Sequence, residues 1–257
     1  MARLVRLLLV ASLYAASSAA VALAEARLGI VLLHGKQSAP EEHAPLADAL
    51  AAAGHLVERP EMCWSARRIY DRPYLECLQE IDGAVGRLRD RGASAFVIAG
   101  HSLGANGALG YGARHKVAGV AALAPGHRPE ALAQRPAISE ALDRASKLAA
   151  RGVQTTLAFP DFNGDLVVQV NATPGAYLSF FTPDSPARMP TNAARLQAPL
   201  LYVVGTADPL QRGPDEIFVK APSHALNRFV TLRAGHFDTS AASSQAVNSW
   251  LRALRQR

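Results

Sequence analysis

Short continuous apolar runs alternate along this chain with longer stretches in which apolar residues recur every three or four positions. The first pattern predicts strands buried on both faces, and the second predicts helices with one buried face. Arg27–Leu33, which ends in Leu-Gly-Ile-Val-Leu-Leu before His34-Gly35, is the first predicted strand. Ala95–Ala99, Lys116–Leu123, Pro199–Val204 and Arg228–Leu232 repeat the pattern, and His55–Glu58 is a shorter candidate. Between them, Pro45–Ala53 has helical composition and stops at Gly54, a residue suited to ending a helix. Arg59–Asp71 reads as loop. Pro73 can open the next helix, with Leu75, Ile81, Val85 and Leu88 on its apolar face and Gly92 beyond its end. A helix over Leu103–Arg114 and a last one over Thr239–Leu254, with Val247, Trp250, Leu251 and Leu254 on one side, complete the series. Strands alternating with helices predict an α/β fold, a mostly parallel, doubly wound sheet covered on both faces.

Residues 124–198 break this rhythm. A helix is expected near Ile138–Ala150. Thr155–Phe162 and Asp165–Ala172 then flank Asn163-Gly164, a hairpin turn signal, and a helical turn is expected at Ala176–Phe181. The segment reads as a cap-like insertion over one end of the sheet; a hairpin adding edge strands to the sheet is the alternative. Phe159, Phe162, Tyr177, Phe180 and Phe181 fall within it, beside Leu178. They are candidates for an apolar substrate pocket or, equally, for core.

The first two dozen residues belong to neither pattern. Arg3 and Arg6 precede an apolar stretch, Leu7–Ala16, and Ala22-Leu23-Ala24 has small residues at the two positions a signal peptidase reads. This predicts a secretory signal peptide cleaved after Ala24, leaving a domain over 25–257 in a periplasmic or secreted protein. The serines at 12, 17 and 18 argue against a spanning helix, so no stable membrane span is expected once the signal is removed. The chain of 257 residues carries a formal charge of +6, and the signal takes two of those charges with it. Of its bases, 23 are Arg and only four are Lys, but they are scattered, which argues against nucleic acid as a partner. Hydrophobic residues make up 49% and charged residues 19%, which excludes wholesale disorder. The two cysteines, Cys63 and Cys77, would meet an oxidising compartment after export. They either pair or stay as buried thiols, and sequence alone does not decide between these.

Candidate chemistry lies where strands end. Gly100-His101-Ser102-Leu103-Gly104 joins a predicted strand to a predicted helix. A serine on such a sharp turn stands clear of the sheet, and the helix N-terminus behind it favours developing negative charge. Asp208, in Ala207-Asp208-Pro209, follows the strand Pro199–Val204, and His236, in Gly235-His236-Phe237, follows Arg228–Leu232. Singly, Asp208 could be a helix cap and His236 a surface residue. In a parallel sheet, however, the C-terminal strand ends share one edge, so the three meet there. Asp238 and Asp215 are weaker rivals for the acid, and His101 is expected to pack beneath the turn.

Gly100–Gly104, Asp208, His236 and the early His34-Gly35 together resemble the α/β-hydrolase superfamily over residues 27–257. The resemblance implies Ser102 as nucleophile, His236 as base and Asp208 as the acid that orients it. It also implies an oxyanion hole from the backbone N–H groups of Lys36 and Leu103, with the Lys36 side chain directed to solvent and without a catalytic role. The expected protein is an exported serine hydrolase cleaving carboxylic esters or thioesters of a small-molecule acyl substrate. An acyltransferase on the same triad, or a binding protein that kept the fold, are the alternatives. No HExxH or Cys/His cluster suggests a metal site, and no GxGxxG follows a strand, so neither metal nor cofactor is expected.

Overall fold

The structure, a computed structural model, describes residues 27–164, 166–210 and 213–256; the candidate signal segment lies outside them. Six strands form one parallel sheet in the order β2-β1-β3-β4-β7-β8: β1 Arg27–Leu33, β2 Leu56–Glu58, β3 Ala93–His101, β4 Gly119–Leu123, β7 Leu200–Gly205 and β8 Arg228–Leu232. The four inner strands are buried along almost their whole length, and the two edge strands are only partly covered. That difference matches the continuous apolar runs of the inner strands and the mixed composition of the edges.

Side chains alternate between two cores. Val31, Leu33, Ile98, Val120 and Tyr202 point to one face, covered by α2 (Tyr74–Asp90) and α3 (Leu103–Gly112). Ile30, Leu32, Val97, Leu123 and Val203 point to the other, covered by α1 (Ala44–Ala52) and the final helix. That helix is not continuous: α8 (Thr239–Ala242) stops at Ser243, and α9 (Ser244–Arg255) starts beyond it. The Ser243 hydroxyl donates to the Ser240 carbonyl at 2.7 Å, a local bond that competes with the helix ladder. Along α2 the buried stripe runs through Tyr74, Leu78, Ile81, Val85 and Leu88, while the expected Leu75 lies on the outer face, 44% exposed.

Between β4 and β7 the chain builds α4 (Pro129–Leu132), α5 (Pro136–Ala150), the hairpin β5–β6 (Leu157–Asn163 and Leu166–Ala172), α6 (Pro174–Phe181) and α7 (Met189–Ala193). The hairpin pairs only within itself, as a separate antiparallel sheet with Phe159 opposite Val170. Asn163 ends β5 opposite Leu166, and Gly164 opens the turn at φ 62°, a left-handed conformation that glycine takes at little cost. Phe159, Tyr177 and Phe181 stack in sequence at 4.4 and 4.5 Å between ring centres, and Phe180 packs on Tyr70 at 4.6 Å. The ladder joins the inserted elements to the loop after β2, whose Cys63 forms a disulfide with Cys77 of α2.

Candidate active site

Parallel register brings the chemistry to one edge. Leu33 pairs with Gly100, His101 with Leu123, Leu123 with Val203 and Gly205 with Leu232, so β1, β3, β4, β7 and β8 all end together. Ser102 follows β3 at φ 55°, ψ −118°, a left-handed conformation costly for any residue but glycine. The turn is held by its neighbours: the Ser102 N–H donates to the Leu123 carbonyl at 3.0 Å, and the Ala105 N–H donates to Ser102 at 3.0 Å. Gly104 lets the helix close on β1, since a Cβ there would lie 2.6 Å from the His34 carbonyl oxygen and nearer still to that of Leu33.

The Ser102 hydroxyl donates to His236 Nε2 at 3.0 Å, and His236 Nδ1 donates to Asp208 Oδ2 at 2.8 Å. The Asp208 carboxylate is fully buried, and its other oxygen accepts the Leu210 N–H at 2.8 Å. Asp208 is therefore an anchored carboxylate in a loop rather than the cap of a helix. Asp238, the nearer rival in sequence, stands at the start of α8 and makes no side-chain capping bond. His101 packs beneath the turn, where its Nε2 donates to the His236 carbonyl at 2.8 Å, and burial lowers its pKa to about 4. It supports the His236 backbone and stays neutral.

The three residues open on a cleft of about 340 Å³ lined by Lys36 and Leu103 on one side and by Leu132, Phe162, Leu210 and Phe237 as its apolar walls. Of the five aromatics considered for a pocket, Phe162 alone lines it. Phe159, Tyr177, Phe180 and Phe181 are fully buried in the ladder and serve as core. Leu132, Leu210 and Phe237 lacked a signal in the sequence, because each sits in a turn or short helix with no periodic pattern. Gly126 lines the cleft as well: a Cβ on it would stand 2.9 Å from Ser102 Oγ.

The Lys36 side chain departs from the expectation of solvent exposure. Its Nζ lies 3.0 Å from both carboxylate oxygens of the fully buried Asp161 and donates to the Phe162 carbonyl. The loop carrying Lys36 is also tied to the disulfide segment. The Met62 N–H donates to His34 Nε2 at 2.9 Å, Trp64 Nε1 to the His34 carbonyl at 2.9 Å, and the Gln37 N–H to the Trp64 carbonyl at 2.8 Å. His34 Nδ1 donates to the Gly35 carbonyl at 2.8 Å, and burial lowers its pKa, which keeps Nε2 free to accept. Burial and the adjoining Asp161 hold the Tyr70 phenol well above its ordinary range, so it remains a donor to that carboxylate. Among the described residues no group of three or more His, Cys, Asp or Glu is placed to hold a metal ion.

With this arrangement in view, the sequence comparison is decisive: a model of the alpha/beta hydrolase family matches residues 30–248. The chain belongs to the alpha/beta hydrolase family. Solved structures of this fold superpose over most of its length. The monoacylglycerol lipase of Paleococcus ferrophilus aligns with a TM-score of 0.65 at 22% identity, covering 88% of this chain and 94% of that one. A structure described with the metagenome-derived lipolytic enzymes LipS and LipT aligns at 0.63 and 18% identity, covering 90% and 95%. A thioesterase domain from the curacin biosynthetic pathway aligns at 0.58 and 16%, covering 89% and 92%. At these identities the likeness is one of fold. No curated protein matches the chain in sequence. As a family member, this chain has the framework of an alpha/beta hydrolase.

Proposed function

We propose that this alpha/beta hydrolase is an exported serine hydrolase that cleaves carboxylic esters or thioesters through an acyl-enzyme on Ser102. The observation that carries this reading is the unbroken chain from Ser102 through His236 to Asp208, at 3.0 and 2.8 Å. In acylation, Ser102 Oγ attacks the substrate carbonyl as its proton passes to His236 Nε2. The imidazolium that forms is stabilised by Asp208 through Nδ1–H. The carbonyl oxygen takes up negative charge beside the backbone N–H groups of Leu103 and Lys36, each worth about 3–4 kcal/mol in such a site. His236 then protonates the departing alcohol or thiol, and water attacks the acyl-enzyme by the same route to release the acid.

Two features support the details. Leu132, Phe162, Leu210 and Phe237 give the cleft an apolar part, beside Lys36, Glu42 and Arg135, and that part suits an acyl chain. The Cys63–Cys77 bond, together with the signal-like first 24 residues, suits a protein exported to an oxidising compartment. The test is a p-nitrophenyl ester chain-length series on wild type and Ser102→Ala, with fluorophosphonate labelling alongside. Wild type should label, and its kcat/KM should rise about fourfold per added methylene over the shorter chains. Ser102→Ala should lose labelling and about 10⁴-fold or more in turnover. Undiminished turnover in that variant excludes the serine mechanism, and a folded wild type that does not label points to a binding protein instead. A flat chain-length profile removes the apolar acyl site.

A further inference from the structure

The triad leaves one buried charge at the cleft without a role. Asp161 is fully enclosed near the tip of β5 and accepts from Lys36 Nζ at 3.0 Å, from the Tyr70 hydroxyl at 3.0 Å and from the Phe162 N–H at 2.6 Å. One carboxylate thus joins three segments that are distant in sequence. Lys36 belongs to the loop after β1, Tyr70 to the segment next to the disulfide, and Phe162 to the inserted hairpin. Lys36, Phe162 and Asn163 also line the cleft. A buried ion pair is a poor source of stability, since an apolar pair of like volume holds a fold as well or better. What an ion pair adds is fixed geometry. The bonds to Asp161 and to the Phe162 carbonyl set the path of the Lys36 side chain, and so the place of the Lys36 peptide N–H.

We propose that Asp161 is a positioning residue for the oxyanion hole. Through the Lys36 side chain it seats the Lys36 N–H against the cleft only while the inserted hairpin is in place, so that the cleft wall and the oxyanion donor form together. The proposal rests on the esterase reading, since the N–H matters only if an oxyanion develops there.

Two variants test it: Asp161→Asn, which keeps the shape, and the double variant Lys36→Met with Asp161→Leu, which replaces the pair by apolar groups and protects the fold. For p-nitrophenyl butyrate, both should lower kcat about 10- to 100-fold with KM within about twofold, as expected when a transition-state contact is lost. Affinity for an alkyl boronic acid, a mimic of the tetrahedral adduct, should fall by the same factor, while affinity for butyrate should not change. Hydrogen exchange across residues 34–38, read on the unliganded protein, should quicken about tenfold in both variants. Variants that melt earlier but keep kcat and the exchange rates of wild type overturn the proposal and leave Asp161 a structural residue. Exchange needs no turnover, so the two readings fail separately. A wild type that hydrolyses no ester defeats the esterase reading, whereas an active wild type with unchanged variants defeats this one.

Discussion

Gly126 is a glycine whose missing side chain would press on the triad itself. It follows β4 by three positions, and a Cβ built on it would lie 2.9 Å from Ser102 Oγ and 3.3 Å from His236 Cε1. Even a methyl group must push the hydroxyl away from Nε2 or fill the place a substrate carbonyl would take. Nothing in the core depends on that position, so the expected outcome of Gly126→Ala is a kcat/KM at least 100-fold lower with a melting temperature within about 2 °C of wild type. Steady-state kinetics and a thermal melt check it, and a variant of full activity shows that Ser102 and His236 take another arrangement in turnover. Sequence reasoning reached Ser102, Asp208 and His236 because each follows a strand at the same sheet edge, a relation that order along the chain preserves. It missed Gly126, because a glycine three residues past a strand looks like any loop glycine until the atoms facing it are known. It also misjudged the Lys36 side chain for a physical reason. The partner of that side chain, Asp161, is 125 residues away, and no local pattern reports so distant a charge.

At the scale of elements, the disulfide segment acts as a clamp. Residues 59–73 contain no regular helix or strand, and Ile69 and Tyr70 sit in succession at φ 43° and 57°. Such a strained, irregular path needs outside support. Cys63–Cys77 ties it to α2, with Cα atoms 5.6 Å apart, while Met62 and Trp64 reach across to His34 and Gln37. Closing a loop of this size is worth about 3 kcal/mol. The Cys63→Ala/Cys77→Ala variant should therefore lose about that much in urea unfolding. It should also lose kcat more than KM, because the clamp holds the loop that bears the Lys36 N–H. A variant that loses stability but keeps kcat assigns the disulfide to the fold alone. The regular elements around this clamp were legible: β1 and β8 have the ends their apolar runs predict, and the hairpin forms where expected, though Asn163 ends β5 opposite Leu166 and the turn falls one residue later than Asn163-Gly164. Short pieces such as α4 and α7 were not, since four or five residues carry no helical period. The aromatic ladder was ambiguous for a related reason. Alternation marks Phe159 as inward-facing but does not say whether inward means core or cleft.

For the molecule as a whole, the histidines govern the response to acid. Burial, with the neighbouring His101, lowers the His43 pKa to about 3, and burial lowers those of His101 and His127 to about 4. His34 and His55 are lowered by burial in the same direction. Each donates or accepts as a neutral ring or packs against apolar neighbours, so the folded state resists their protonation. The unfolded chain takes those protons near the ordinary value of about 6.5. Above that pH both states are neutral and this stability is fully present. As pH falls from about 6.5 toward 4 the unfolded state binds protons that the folded state refuses, and each such group subtracts up to about 1.4 kcal/mol per pH unit. The urea midpoint should thus hold level from pH 8 to 7 and drop steeply between 6 and 4.5. His127→Gln, a ring replaced by a side chain that does not titrate, should shallow that slope even where it lowers the midpoint at pH 7. Because His34, His101 and His43 sit together behind the triad, with His101 and His43 rings 5.2 Å apart and His101 and His236 rings 4.9 Å apart, their protonation should break the site and the fold in one step. A midpoint that stays flat from pH 7 to 5 would mean that the folded protein accepts these protons after all, and that the histidine cluster opens to water without cost.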